Sequence, residues 1–180
     1  MYSEIDSSDV RQAAMDLLAR REHSVKELRD KLHLRFEKRA QKRAQKQASA
    51  GDPNCAESTF PENASHSITG LIETEVNKLR LEGLQSDARL AEAYIRSRSN
   101  RGHGPLKISS ELRNKAVSER IVSAALSESG IDWGLLIEKV TIRKYGECSP
   151  NGPLDMAFKA KRNRFLIQRG FSYEHIALLN

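Results

Sequence analysis

A chain of 180 residues suffices for one ordinary domain or several small ones. With 38% hydrophobic and 30% charged residues it is too apolar for wholesale disorder and too polar for one large core, so any cores must be small or shared. Its net charge of +6 admits nucleic acid or an acidic protein as partner, and no apolar run approaches the ~18 residues that span a bilayer.

The chain should begin with a flexible stretch, 1–9, whose acidic sequence MYSEIDSSD lacks the apolar run of a signal peptide. A first helix is then expected from Val10, with Val10, Ala13, Ala14, Leu17 and Leu18 on one stripe. Ser24-Val-Lys-Glu27 has the form of a capping box, opening a second helix with Leu28, Leu32 and Phe36 inward. From about 37 to 67 the apolar pattern fails. EKRAQKRAQKQASA is basic and alanine-rich, and GDPNCAESTFPENASHS has loop composition. This reads as a second helix running on into solvent and then a mobile loop. A third helix is expected near Gly70 to Glu82, with Leu71, Ile72, Val76 and Leu79 inward and Gly83 as its stop.

The next helix should start near Ser86 and bury Leu90, Ala93 and Tyr94. Gly102-His-Gly-Pro105 forms a corner, with Pro105 in the first turn of a helix carrying Ile108 and Leu112, where its missing N–H costs nothing. Ser118 is the N-cap position for a helix with Ile121, Val122, Ala125 and Leu126. Further on, a helix opens at Asp132-Trp133 with Leu136, Val140 and Ile142. Another runs from about Pro153 through Phe158, Phe165, Leu166 and Ile167 to Gly170, and Ser172 caps a short last helix with Ile176 and Leu179.

Two internal echoes tie these elements together. KELRDKL (26–32) matches SELRNKA (110–116), and AVSERIVSAAL (116–126) matches GFSYEHIALLN (170–180). Such self-similarity predicts an all-α fold of three tandem three-helix, helix-turn-helix-like repeats at 10–84, 85–130 and 131–180, stacked into an elongated curved body.

Positive charge is unevenly spread. Residues 94–120 carry seven cations against two acids, and 139–170 carry eight against two, whereas 68–93 carries three against five. Single surface cations are ordinary, but an asymmetric set points to a polyanion or an acidic partner. The contact candidates are Arg96, Arg98, Arg101, Lys107, Arg113 and Lys115, followed by Arg143, Lys144, Lys161, Arg162, Arg164 and Arg169. The KRAQKRAQ run is either a solvated helical extension or an added arm that grips DNA or a filament. Gly102 and Gly104 serve either a simple flexible connection or a close backbone approach to a phosphate or partner. Trp133, Tyr94 and Phe165 are core anchors before they are base-stacking platforms.

No GxSxG, HExxH or P-loop occurs, the lone GHG lacks the strand-then-helix setting of a nucleotide loop, and the five histidines are scattered. Neither an enzyme, a metal site nor a cofactor is expected. Cys55 and Cys148, far apart and outside any CxxC, fit a reducing cytoplasm.

With these motifs in order, LLARREHSVKEL (17–28), RSRSNRGHGP…ISSELRNKA (96–116), IDW…RKYGE (131–147) and RFLIQRGFSYEHI (164–176), the chain resembles the RecX family of RecA regulators over most of 10–180. The resemblance implies tandem three-helix repeats. It also implies negative regulation of RecA in DNA repair, recombination and the SOS response. A monomer would bind the RecA nucleoprotein filament and single- or double-stranded DNA in the cytoplasm, hindering ATP hydrolysis, filament extension and strand exchange. The rival readings are a stand-alone DNA-binding helix-turn-helix regulator and a basic protein-binding scaffold. Ala116 stands where the family commonly has Gly, so a tight helix junction is expected there rather than a left-handed turn. Gln85-Ser86 replaces an acidic, apolar stretch, and the 37–67 insertion is not a general family feature.

Overall fold

The computed structural model describes residues 5–49, 62–146, 156–177 and 179. Among these every regular element is a helix: α1 Ser7–Leu18, α2 Val25–Ser49, α3 Glu62–Leu81, α4 Asp87–Asn100, α5 Pro105–Asn114, α6 Glu119–Glu128, α7 Trp133–Tyr145, α8 Met156–Arg169 and α9 Tyr173–Ala177. The chain divides into two compact units, Met1–Asp87 and Ala88–Asn180.

In the first unit α1, α2 and α3 bury Val10, Ala13, Ala14, Leu28, Leu32, Phe36, Ile72, Val76 and Leu79 in one cluster. The capping box is present: the Ser24 hydroxyl accepts from Glu27 N–H at 3.1 Å, and the Glu27 carboxylate accepts from Ser24 N–H at 3.5 Å. Helix α1 starts at Ser7, ahead of Val10, because the Asp6 carboxylate accepts from Asp9 N–H at 2.8 Å and caps it. Buried Glu75 anchors that first turn through the Ser7 hydroxyl at 2.5 Å and is itself paired with Lys78 at 2.6 Å. Hydrogen bonds and opposite charges hold its carboxyl below the usual range despite burial, which acts the other way.

His23 is 1% exposed. The Lys31 ammonium donates to its Nε2 at 2.8 Å, so Nδ1 carries the proton and donates to the Arg21 carbonyl, also at 2.8 Å. Burial leads in holding the His23 pKa down. Gln85 is buried and donates to the His23 carbonyl and to Asp87, fastening the α1–α2 loop to the end of the unit.

Helix α3 begins eight residues before Gly70, which lies inside it. Helix α2 runs on to Ser49, thirteen residues beyond Phe36, its last buried side chain among those described. Of the loop expected over 51–67, residues 62–67 are instead the first turns of α3, and 51–61 lie outside the described residues, as does Cys55.

The second unit holds two clusters. Helices α4, α5 and α6 bury Leu90, Ala91, Ile95, Ile108, Leu112, Val117, Val122 and Ala125. Helices α7, α8 and α9 bury Ile137, Val140, Leu166, Phe171 and Ile176. Trp133 packs against both. The phase of α4 differs from expectation, since Ala93 is exposed while Ala91 and Ile95 are buried. Likewise Ile137 replaces Ile142 inside α7, and Ile167 is exposed on α8. Residues 147–155, including Pro153 and Cys148, lie outside the described set.

The echo between 116–126 and 170–180 has a structural basis. Helices α5 and α8 end in the same way: Val117 N–H donates to Leu112 O at 3.2 Å, and Phe171 N–H to Leu166 O at 3.1 Å. A second bond runs from Ala116 to Arg113 and from Gly170 to Ile167, which completes a Schellman turn in each case. Val117 and Phe171 then fold into their cores, and a serine at the N-cap position opens the next helix. Ala116 has φ 59°, so the turn is left-handed despite the alanine. The turn's hydrogen bonds and the buried Val117 outweigh the strain of an L-residue there. The Ser118 hydroxyl makes no cap bond, whereas Ser172 accepts from His175 N–H at 3.3 Å.

Candidate binding surface

The corner between α4 and α5 docks on the third repeat. Gly104 N–H donates to the Arg169 carbonyl at 2.8 Å and Leu106 N–H to the Gly170 carbonyl at 3.0 Å. A neighbouring carbonyl thus occupies an N–H in the first turn of α5 that would otherwise face an anion. A Cβ on Gly104 would lie 2.4 Å from Gly170 O, and one on Gly170 would lie 2.3 Å from the Lys107 Cβ. Both glycines therefore serve a close backbone approach, and the partner they approach is the chain itself.

The twelve cations fall into those with a partner among the described residues and those without. Arg98 donates to the Tyr94 hydroxyl at 2.7 Å and pairs with Glu111 at 2.9 Å, while Tyr94 O–H donates to Glu111 at 2.8 Å. The bond to Tyr94 and the Glu111 charge keep the Arg98 guanidinium protonated, and burial pushes the Tyr94 phenol up. Lys115 lies over the Tyr94 ring at 5.4 Å. Arg113 forms a two-pronged pair with Glu119 at 2.5 and 2.9 Å. Arg169 donates to the Arg101 carbonyl at 3.0 Å and sits over Phe165 at 5.2 Å. Lys144 lies 6.0 Å from the same ring. Arg162 is 3% exposed and donates to Asn163.

The side-chain charges of Arg96, Arg101, Lys107, Arg143, Lys161 and Arg164 are without an ion pair among the described residues. Two of them face a concavity. Open grooves of about 340 and 350 Å³ adjoin at Ser99, Asn100 and Ile131, with Arg96 on the wall of one and Arg143, beside Lys139, on the other. Leu135, 53% exposed, offers an apolar patch in the second groove. Glu92 and Glu128 line the first groove with Arg96, and Asp132 lines the second with Lys139 and Arg143, so both signs of charge border an open, shallow trough that suits a macromolecule better than a small molecule. Lys139 also borders this trough and is not among the contact candidates, because sequence offers no sign of which cations line a groove.

His103 is half-buried at the corner, its Nδ1 without a hydrogen-bond partner. Burial first, then the cations Lys107 and Arg169, hold its pKa below the ordinary value. Among the described residues no group of three His, Cys, Asp or Glu gathers to hold a metal, and no helix is long and apolar enough to cross a membrane.

Repeated three-helix modules with small separate cores, docked backbone to backbone in the second unit, define an all-helical tandem-repeat protein. Family models for the first, second and third three-helix domains of RecX match residues 11–39, 86–126 and 136–177. The regulatory protein RecX of Pseudomonas entomophila (strain L48) is 37% identical over 170 residues, covering 94% of this chain and 88% of that protein. That of Pseudomonas fluorescens (strain SBW25) is 36% identical with the same coverage. The chain belongs to the RecX family. Two solved structures share its fold: a crystal structure of regulatory protein RecX, with TM-score 0.64 and 21% identity over 96% of this chain and 71% of that one, and RecX from Lactobacillus salivarius, with TM-score 0.58 and 23% identity over 96% and 94%. The two Pseudomonas relatives and the first of these structures are named as regulatory proteins, not as enzymes.

Proposed function

We propose that this protein is a negative regulator of the RecA recombinase. A monomer binds the RecA–DNA filament in its helical groove or at its growing end and hinders ATP hydrolysis, extension and strand exchange. Membership of the RecX family supports the partner. The observation that carries the reading is the unpaired set of Arg96, Arg101, Lys107, Arg143, Lys161 and Arg164, of which Arg96 and Arg143 flank adjoining troughs. These cations contact RecA, bound single- or double-stranded DNA, or both, without first breaking an internal ion pair. Arg98, Arg113, Lys115, Lys144, Arg162 and Arg169 contribute to the same positive field while also holding the fold. No catalytic step or cofactor enters the mechanism, which operates in the cytoplasm.

The test is RecA's single-strand-dependent ATP hydrolysis, titrated with this protein at low and moderate salt. Loss of hydrolysis well below one molecule per RecA protomer supports action at filament ends. Loss only near saturation supports coating of the groove. Unchanged hydrolysis alongside retained DNA binding overturns the reading in favour of a stand-alone DNA-binding module. Arg96→Ala combined with Arg143→Ala is expected to raise the inhibitory concentration at least about tenfold.

A further inference from the structure

Helix α2 continues for thirteen residues past Phe36, about 20 Å of helix. None of its described side chains there is buried. A stretch with no described side chain in the core has its composition set by something else, and this one reads EKRAQKRAQKQAS. Apart from alanine it has no apolar residue, and Glu37 is its single acid against Lys38, Arg39, Lys42, Arg43 and Lys46. The spacing is regular: 38, 42 and 46 are lysines, and 39 and 43 are arginines. Four residues advance a helix by about 6 Å and turn it about 400°, so the lysine positions form a slowly winding row. Lys38 and Lys42 are exposed and carry no ion pair among the described residues. Arg39, by contrast, reaches back to Asp9 at 3.4 Å. The family model for the first domain ends at residue 39, so most of this arm lies beyond it.

We propose that the arm is a binding element for double-stranded DNA, which it holds by the phosphates alone and without sequence preference. It goes beyond the proposed function, because it assigns duplex contact to a segment that lies mostly beyond the family model and works without RecA. The chemistry selects the partner. A protein-binding helix presents an apolar anchor that is buried at the centre of the interface, and the arm has none. Single strands are held by aromatic stacking along a groove, and the arm has no aromatic residue. An array of Lys and Arg at one-turn intervals, with only Ala and Gln between, matches a partner that presents closely spaced negative charges and asks for nothing else.

The experiment measures binding of a labelled duplex of arbitrary sequence by fluorescence anisotropy, without RecA, over a range of salt. The full-length parent is compared with a variant carrying Lys38→Gln, Lys42→Gln, Arg43→Gln and Lys46→Gln. Glutamine keeps the helix propensity, and circular dichroism checks that the helix persists. A companion variant exchanges Lys for Arg and Arg for Lys at these positions. Removing four phosphate contacts should lower the slope of log affinity against log salt by about 3 to 4, equally on unrelated sequences. The charge-preserving variant should keep the parent's slope. If the glutamine variant keeps the parent's slope, the proposal falls, whatever the variant does to RecA. A lost affinity for anionic vesicles with unchanged duplex binding overturns it in favour of a membrane surface. Because RecA is absent, failure here and failure of the regulator reading are separate results.

Discussion

The corners at 116–118 and 170–172 occupy equivalent places in two repeats and are the same turn, yet one uses alanine and the other glycine. Both residues have positive φ, 59° and 88°. Both turns are closed by the same pair of backbone bonds and lead into a buried side chain. What differs is the neighbour. Ala116 is exposed, whereas Gly170 lies against the backbone and Cβ of Lys107. A left-handed turn alone tolerates a methyl group at modest cost; a left-handed turn pressed against a second chain segment does not.

The largest way to break the comparison is Gly170→Ala. Its Cβ would stand 2.3 Å from Lys107 Cβ and 2.5 Å from Lys107 N, neither of which can swing aside. Denaturant unfolding should show a loss of about 3 kcal/mol or more. Gly104→Ala, 2.4 Å from Gly170 O, is expected to fall in the same range.

Gly102→Ala sharpens it, because there the obstacle is a side chain: Val140 Cγ2 at 2.7 Å, with φ 76°. A loss of about 2 kcal/mol is expected, and adding Val140→Ala should recover at least about 0.5 kcal/mol relative to the sum of the two single changes. Additive losses would show that the methyl contact is not the source of the strain.

The converse change, Ala116→Gly, should stabilise the protein by about 0.5–1 kcal/mol, since no neighbour penalises it and the left-handed strain is relieved. A destabilised variant would mean that the turn is less strained than its φ implies.

The smallest effect distinguishes the docked corner by pH. Unfolded His103 titrates near 6.5 and folded His103 lower, so between those values the unfolded chain binds more protons. Stability therefore declines as pH falls below about 6.5 towards the folded pKa. On acidification from about pH 7.5 to about 5.5 the parent should lose more stability than His103→Gln. Equal losses would place the pH dependence elsewhere, as at buried His23.

Local signals were the ones legible in the sequence. The Ser24–Glu27 capping box, the helix starts at Pro105 and Asp132-Trp133, and the cap residue Ser172 all act within a few residues of themselves. The start of α3 is not legible because ENASHS is polar and rich in loop formers, and helix propensity there is a weak signal against the surrounding composition. The phase of α4 is ambiguous in the sequence because alanines occupy both exposed position 93 and buried position 91. The candidate surface was legible as charge but not as geometry. Arg98 and Glu111 are thirteen positions apart, and Gly104 meets Gly170 across sixty-six, so neither pairing leaves a local trace. The same long-range contacts decide which cations are spoken for and which face solvent.

The arm on α2 has one more property. Residues 39–42 and 43–46 are the same quartet, Arg-Ala-Gln-Lys, written twice. Because nothing described beyond Phe36 is buried, gaining or losing one quartet changes reach by about 6 Å and leaves the core as it was. Reach is thereby uncoupled from folding. Short duplications in the gene can lengthen or trim this element in steps of about one turn, and selection can act on its span without first having to restore a stable domain.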